Sequence, residues 1–140
     1  KVCLKKIPKD LFISVAAVTD WKINYNKHKM KKEEGIPKLK LIDNPDILKS
    51  ISFHKKRPRL VVGFAAETKH LTQNAMKKIK QKKCDFIIAN NVANSKEVFG
   101  SNMNEVTIMN TKGIFLKLTK MDKKKLAKKI VKEVIVPSLN

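Results

Sequence analysis

The sequence predicts an α/β fold, a parallel β-sheet flanked by helices with a β-hairpin at the C-terminal end. Continuous apolar runs at residues 11–18, 60–64 and 86–89 predict buried strands. Lysine-rich amphipathic segments separate and follow these runs, and two short apolar runs near the C-terminus enclose a turn. The order strand, helix, strand with short connections implies a right-handed crossover between parallel strands.

The chain length and composition indicate a single domain over residues 1–140. Its 140 residues are 42% hydrophobic, which is enough for one core. No apolar run is long enough to span a membrane, and no signal peptide is recognisable, so a cytoplasmic protein without membrane contact is expected. Cys3 and Cys84 are expected to be reduced thiols, and no metal site in the protein is predicted.

A formal net charge of +20 favours an anionic partner. Arg57 and Arg59 are the only arginines, although arginine is preferred for base recognition, and aromatic residues make up 6% of the chain. A nucleic acid is therefore not the expected partner. A small phosphorylated ligand agrees better with a positive electrostatic field to which lysine contributes almost all of the charge.

The first third of the chain predicts a helix end, a strand and a loop. Val2 to Ile7 has the pattern of an amphipathic helix that Pro8 terminates, and the strand at 11–18 ends in small residues before Thr19. Residues 22–40 are predominantly basic and polar, so they are either a mobile functional loop or a solvated run of charge. Asn44 is predicted to cap a helix that has Pro45 at its first position.

The stretch from Leu60 to Thr68 is predicted to be a buried strand that turns at Gly63 into a helix over 68–83. Two interpretations fit it: a ligand site at the carboxyl end of a strand, or a packed corner without a ligand. The residues expected to face the core are Leu71, Ala75, Met76 and Ile79. Lys78 and Lys82 are one helical turn apart, so both could reach one anion.

The last third predicts a strand, a hairpin and a helix. The strand at 86–89 ends in Asn90 and Asn91, and the hairpin pairs residues 105–109 with 114–118. The final helix is expected over 123–136. Its inward side chains are predicted to be Leu126, Ile130, Val131 and Val134.

Several short motifs resemble, in order and spacing, those of bacterial phosphopantothenate-cysteine ligase. This enzyme is often the C-terminal half of a bifunctional coenzyme A biosynthesis flavoprotein. The matching motifs are Ala16 to Trp21, Lys29 to Lys32, Asn44 to Ile47, Arg57-Pro58, Gly63 to Thr68, Ala89 to Val92 and Phe99 to Ser101. The resemblance covers essentially the whole chain and implies a Rossmann-like, ribokinase-like sheet.

The resemblance implies a two-step ligation in coenzyme A biosynthesis. The carboxylate of 4'-phosphopantothenate would attack the α-phosphate of CTP, giving an acyl-cytidylate and pyrophosphate, and the amine of cysteine would then displace CMP. Mg²⁺ would accompany the nucleotide phosphates. The motif from Gly63 to Thr68 has the bacterial, CTP-using form, but the sequence leaves ATP open.

The resemblance also assigns residues to the site. Lys29 would be the catalytic lysine of a mobile basic loop over residues 22–40, with Lys27 or Lys31 as substitutes if the register differs. Ala17 would contact phosphopantothenate. The nucleotide-binding residues would be Lys29 together with Ser14, Val15, Ala16, Asp20, Asn44, Pro45, Asp46, Ile47, Phe64, Lys78 and Lys82.

Departures from the family pattern leave other functions open. Asn91 and Asn102 stand where the family has aspartates, and the glycine-rich phosphate loop with which the family begins is missing from these residues. Two explanations stay open: these residues are a fragment of the ligase, or a separate polypeptide supplies its N-terminal half as a partner. The resemblance also implies a homodimer through the hairpin around residues 110–113. The alternatives are a catalytically incomplete nucleotide-binding remnant and a basic nucleic-acid-binding domain.

Overall fold

The computed structural model of the chain describes residues 2–25, 28–93 and 100–140. It divides into two compact units, the first comprising Lys1–Val15 with Ile47–Asn140 and the second Ala16–Asp46. The first unit contains the main sheet and the helices. The second is built on a two-stranded sheet.

The main sheet has five strands in the order β1-β4-β5-β6-β7. Their bounds are Leu11–Ser14 (β1), Leu60–Glu67 (β4), Phe86–Asn91 (β5), Met103–Asn110 (β6) and Gly113–Asp122 (β7). The first three strands of this order are parallel, and β6 and β7 are antiparallel to their neighbours. The predicted α/β, Rossmann-like architecture with a terminal hairpin is thereby confirmed.

Helices cover both faces of this sheet. Helices α1 (Val2–Lys6), α2 (Ile47–Ser52) and α3 (Leu71–Lys82) lie on one face. The C-terminal helix lies on the other and comprises α4 (Lys123–Ile130), a π-helical turn (Val131–Ile135) and α5 (Val136–Leu139). Val61 and Val62 show the alternation of a strand buried on both faces, because each belongs to a different one of the two core clusters.

Strand β4 is longer than the sequence predicts. It does not turn into a helix at Gly63 but continues to Glu67, because Phe64 to Glu67 pair in register with Ile88 to Asn91 of β5. Helix α3 accordingly begins at Leu71, three residues later than expected. The predicted core side chains of α3 are correct, since Ala75 and Ile79 are buried and Leu71 and Met76 pack against them.

Strand β1 is shorter and less buried than expected. It ends at Ser14 rather than Val18, and its four residues are half-buried. The reason is its position at the edge of the sheet, where it pairs with β4 alone among the described strands. Val15 and Val18 are exposed.

The C-terminal helix differs from the prediction at one inward position. Leu126, Ile130 and Val134 are buried as expected, but Val131 is exposed. The N–H of Val136 bonds to the carbonyl of Val131, the i to i+5 spacing of a π-helix, so the final turn is wider than an α-helical one. Asp122 caps the helix, its carboxylate accepting from the amides of Lys124 and Lys125.

The second unit contains two short antiparallel strands, β2 (Trp21–Ile23) and β3 (Leu41–Asp43). Between them the structure describes one 3₁₀ turn, Lys32–Glu34. The first residues of the predicted loop, Lys22 and Ile23, therefore belong to a strand. Within the described parts of the chain, no helix is both long and apolar enough to cross a membrane.

Asp85 joins the amino ends of β4 and β5. Its amide donates to the carbonyl of Val61 (2.8 Å), and its carboxylate accepts from the amide of Val61 (2.7 Å). The same carboxylate oxygen forms an ion pair with Arg57. Arg57 also donates to the carbonyls of Pro58 and Lys83, so one arginine holds two loops against the sheet.

The thiol of Cys84 is buried at the end of α3 and is expected to be unreactive. Burial raises its pKa from 9.0 to about 11, the nearby Asp85 adding to the effect and a backbone hydrogen bond opposing it. A thiol reagent at pH 8 should therefore modify the half-buried Cys3 quickly and Cys84 only on unfolding. Fast modification of both thiols in the folded protein would contradict this.

The same pKa predicts a loss of stability at high pH. Between about pH 9 and pH 11 the unfolded thiol has lost its proton while the folded thiol keeps it, so the free energy of unfolding falls as the pH rises. Between pH 8 and pH 10 the loss should be about 1 kcal/mol. Urea denaturation of the natural chain and of Cys84→Ala at both pH values isolates this effect, because the two proteins differ only in the thiol. Equal pH dependence of the two proteins would refute the prediction.

Candidate active site

The carboxyl ends of the parallel strands β1, β4 and β5 lie at one edge of the main sheet, where open α/β sheets bind ligands. Ser14 ends β1, and Glu67 and Asn91 end β4 and β5. Phe64 lies within β4 and is 37% exposed. The corner that the sequence predicts after Gly63 is instead an extended strand, which continues to Glu67.

Lys78 is held by an acidic side chain that the sequence interpretation missed. Its ammonium nitrogen lies 2.8 Å from Oε1 of Glu67, whose side chain is only 12% exposed. The other carboxylate oxygen, Oε2, accepts from Nδ2 of Asn74 (2.8 Å), which also donates to the carbonyl of Lys69 (3.0 Å). This Glu67 cluster, composed of Glu67, Asn74 and Lys78, fixes the cation at the end of β4.

The spacing on α3 could have revealed part of this cluster. Asn74 and Lys78 are four residues apart, so they share a helix face. The partner Glu67 could not be assigned from spacing alone, because its place depends on how far β4 extends. Lys82 lies one turn beyond Lys78 on the same helix and is half-buried.

Phe64 does not lie on the same sheet face as the lysines. Strand alternation places it with Val62, on the side of the C-terminal helix, whereas α3 packs on the side of Val61. A ligand touching both Phe64 and Lys78 would therefore have to pass over the carboxyl end of β4. Ile47 begins α2, on the α3 side of the sheet, and is 38% exposed.

In the second unit, Lys29 lines an open depression of about 690 Å³. Its basic neighbours there are His28, Lys38 and Lys40. Several cations around one hollow create a positive potential that suits phosphate groups. Lys31 does not line this depression, and Lys27 and Phe99 lie outside the described residues.

Asn44 has a role different from the predicted helix cap. Its side-chain amide donates to the carbonyl and the hydroxyl of Thr19 (3.0 and 3.3 Å), and its backbone amide donates to the carbonyl of Asp20 (2.8 Å). Helix α2 begins only at Ile47, so Pro45 is not its first residue. Asn44 thus ties the end of β3 to the segment before β2.

The remaining predicted residues are accessible to a ligand. Among these predicted residues, those exposed in the second unit are Ala16, Ala17, Asp20, Pro45 and Asp46. Val15 is exposed in the first unit. Among the described residues there is no group of three or more His, Cys, Asp or Glu side chains that could hold a metal ion.

Comparison with known proteins identifies relatives over most of the chain. The family model of the DNA/pantothenate metabolism flavoprotein C-terminal domain matches residues 1–136. The coenzyme A biosynthesis bifunctional protein CoaBC of Borreliella burgdorferi is 40% identical over 126 residues, which are 88% of this chain and 31% of that protein. The chain thus spans about a third of the length of this curated relative.

Two solved structures share the fold. The C-terminal domain of a coenzyme A biosynthesis bifunctional protein CoaBC superposes with a TM-score of 0.66 at 29% identity, covering 91% of this chain and 54% of that one. A Cab2 mutant in complex with phosphopantothenate-cysteine superposes with a TM-score of 0.63 at 24% identity, covering 91% and 44%. At that identity, the second similarity shows the fold alone.

Proposed function

The chain belongs to the family of DNA/pantothenate metabolism flavoprotein C-terminal domains, and from this premise we propose that it is part of a phosphopantothenate-cysteine ligase of coenzyme A biosynthesis. The observation that carries the proposal is the Glu67 cluster at the carboxyl end of β4. It fixes Lys78, one of the lysines that the family resemblance assigns to the nucleotide. A half-buried ammonium group, anchored on one side by a carboxylate, offers its remaining protons to a phosphate.

The proposed reaction joins a carboxylate and an amine at the expense of CTP. An oxygen of the 4'-phosphopantothenate carboxylate forms a bond to the α-phosphorus, and the bond to the leaving pyrophosphate breaks. The cysteine nitrogen then forms a bond to the acyl carbon, the bond from that carbon to the CMP oxygen breaks, and the amine loses a proton to solvent. Positive charge is needed because two anions meet in the first step.

The lysines supply that charge in the proposal. In the first unit, Lys78 and Lys82 are proposed to bind the nucleotide. In the second unit, Lys29 lines the basic depression and is proposed to be the catalytic lysine. Mg²⁺ is proposed to enter with the nucleotide, since it commonly stays on substrate phosphates and keeps much of its water shell.

Nucleotide binding by this chain is tested by thermal unfolding with Mg-CTP and with Mg-ATP. We expect a rise of the midpoint with CTP that exceeds the rise with ATP. Lys78→Met should weaken CTP binding about tenfold, since it removes one charge-assisted hydrogen bond. Phe64→Ala should weaken it through the lost ring contact with the base.

The control is Lys124→Met, which removes an equal charge at an exposed position of the C-terminal helix. It should leave the CTP shift unchanged. Equal shifts with both nucleotides would overturn the choice of CTP, and no shift with either would favour the catalytically incomplete remnant. Pyrophosphate release from CTP in the presence of phosphopantothenate, with and without Lys29→Ala, then tests catalysis.

A homodimer through the C-terminal hairpin is also proposed. Strand β7 is the outer strand of the described sheet beyond β6, and Ile114 and Phe115 on it are each 48% exposed. An open strand edge with apolar side chains is suited to a second copy. Sedimentation equilibrium should give twice the chain mass, and Phe115→Glu should shift the population to monomer. A monomer at high protein concentration would contradict the proposal.

A further inference from the structure

A cavity of about 250 Å³ lies beside the candidate site, on the sheet face that carries α3. Ala89 of β5 is one of its residues and pairs in register with Thr107 of β6, which pairs with Lys117 of β7. Leu71, at the start of α3, adds an apolar side chain. The cavity is smaller than the roughly 300 Å³ at which pockets for drug-sized ligands begin, so it suits a smaller molecule than a nucleotide.

The polar side chains that line the cavity include one negatively charged and one positively charged group. Glu105 supplies a carboxylate and Lys117 an ammonium, and neither forms an ion pair with another described residue. Asn91, Thr107 and Thr119 add an amide and two hydroxyl groups. An α-amino acid carries an ammonium and a carboxylate on one carbon, so it needs opposite charges within one small hollow.

The position of the cavity connects it to the candidate site. Asn91, which lines it, is the register partner of Glu67, the residue that anchors Lys78. The two features therefore lie at the carboxyl ends of adjacent parallel strands. A ligand in the cavity would lie next to the edge of the sheet at which the nucleotide is proposed to bind.

We propose that this cavity is the amino acid site, with Glu105 binding the ammonium group of L-cysteine and Lys117 its carboxylate. The inference rests on the proposed function for the choice of cysteine, whereas the zwitterion chemistry rests on the cavity itself. The side chain of the amino acid would lie toward Leu71 and Ala89, where an uncharged thiol is accommodated. The hydroxyl groups and Asn91 complete the polar wall.

The test is a titration of the isotope-labelled whole chain with L-cysteine under reducing conditions, followed by amide NMR signals. We expect saturable shifts at Ala89, Asn91, Thr107 and Thr119. Cysteamine lacks the carboxylate and 3-mercaptopropionate lacks the amine, so each should bind about tenfold more weakly than cysteine.

Variants assign the two charges separately. Glu105→Gln and Lys117→Met should each weaken cysteine binding about tenfold, and Lys117→Met should leave cysteamine binding unchanged. Glu33→Gln and Lys124→Met, which remove the same charges away from the cavity, are matched controls and should have no effect. Retained cysteine affinity in both cavity variants, or no saturable shift at all, would overturn the inference.

The outcome is separable from that of the proposed function. If the chain binds CTP and cysteine does not perturb the cavity, the amino acid site is refuted while the ligase proposal stands. If cysteine binds with the expected variant pattern and no nucleotide binds, the ligase proposal fails and the amino acid site stands. Each result is decisive for one of the two.

Discussion

Replacement of Gly63 by valine is expected to lower the free energy of unfolding by about 3 kcal/mol. A Cβ atom at this position would lie 2.6 Å from Cδ2 of Leu48 and 2.7 Å from Cδ1 of Ile87. Both side chains are buried, so neither can move without disturbing the core between α2 and the sheet. Alanine should cost less, about 1 to 2 kcal/mol, because it adds only the first methyl group.

Urea denaturation measures both effects, and a second substitution tests their cause. Leu48→Ala should be less destabilising in the Gly63→Val chain than in the natural one by about 1 kcal/mol, since it makes room for the added side chain. Ala66→Val, at an exposed position near the end of the same strand, is the matched control and should be nearly neutral. Additive effects of the Gly63 and Leu48 substitutions would contradict the steric explanation.

Replacement of Asp85 by alanine is expected to cost about 2 to 3 kcal/mol. It leaves the amide of Val61, a completely buried residue, without its acceptor and removes the ion-pair partner of the half-buried Arg57. Asn is the matched control, because its side-chain oxygen can still accept from Val61 while the charge is lost. Asp85→Asn should therefore cost about 1 kcal/mol.

The two Asp85 variants are compared by denaturation with Arg57→Ala in each background. Arg57→Ala should be less destabilising in Asp85→Ala than in the natural chain, because only the bonds of Arg57 to the carbonyls of Pro58 and Lys83 are left to lose there. Equal stability of the alanine and asparagine variants would show that the hydrogen bond to Val61 contributes little. The ion pair would then be the main contribution of Asp85.

The buried elements of the main sheet could be predicted because their signals are local. The apolar runs at Leu60 and Phe86 and the lysine-rich amphipathic segment between them define a strand, helix and strand without reference to distant residues. The core residues Ala75 and Ile79 follow from helical periodicity in the same way. Local pattern therefore accounts for the architecture and for most of the core.

The predictions that the structure corrects are those in which a contact with a residue far along the chain determines the local structure. Small residues after Gly63 are typical of a turn, yet pairing with β5 keeps them extended. Asn44 is a good cap by type, but its amide bonds to Thr19, 25 residues earlier in the chain. The ion pair of Lys78 with Glu67 depends on how far β4 extends and on where α3 begins.

The sequence could predict which residues belong to the candidate site, but not which of them contact one another. The resemblance names residues that the structure finds exposed or half-buried at strand ends and in the basic depression. The Glu67 cluster and the charged cavity at Glu105 and Lys117 were not foreseen, because no local pattern marks residues that meet across strands. Strand register, which depends on the whole sheet, brings them together.

The π-helical turn in the C-terminal helix has a consequence for how the chain tolerates changes in length. A π turn holds one residue more than an α turn, so it absorbs an inserted residue while the helix before and after it stays continuous. Both parts keep their apolar side toward the sheet, with Ile130 before the turn and Leu139 after it. The carbonyl of Leu139 also accepts from Arg59 (2.7 Å), which anchors the end of the helix. Insertion or deletion of one residue at this turn is therefore expected to change the helix locally and to leave the packing of the rest of the C-terminal segment in place.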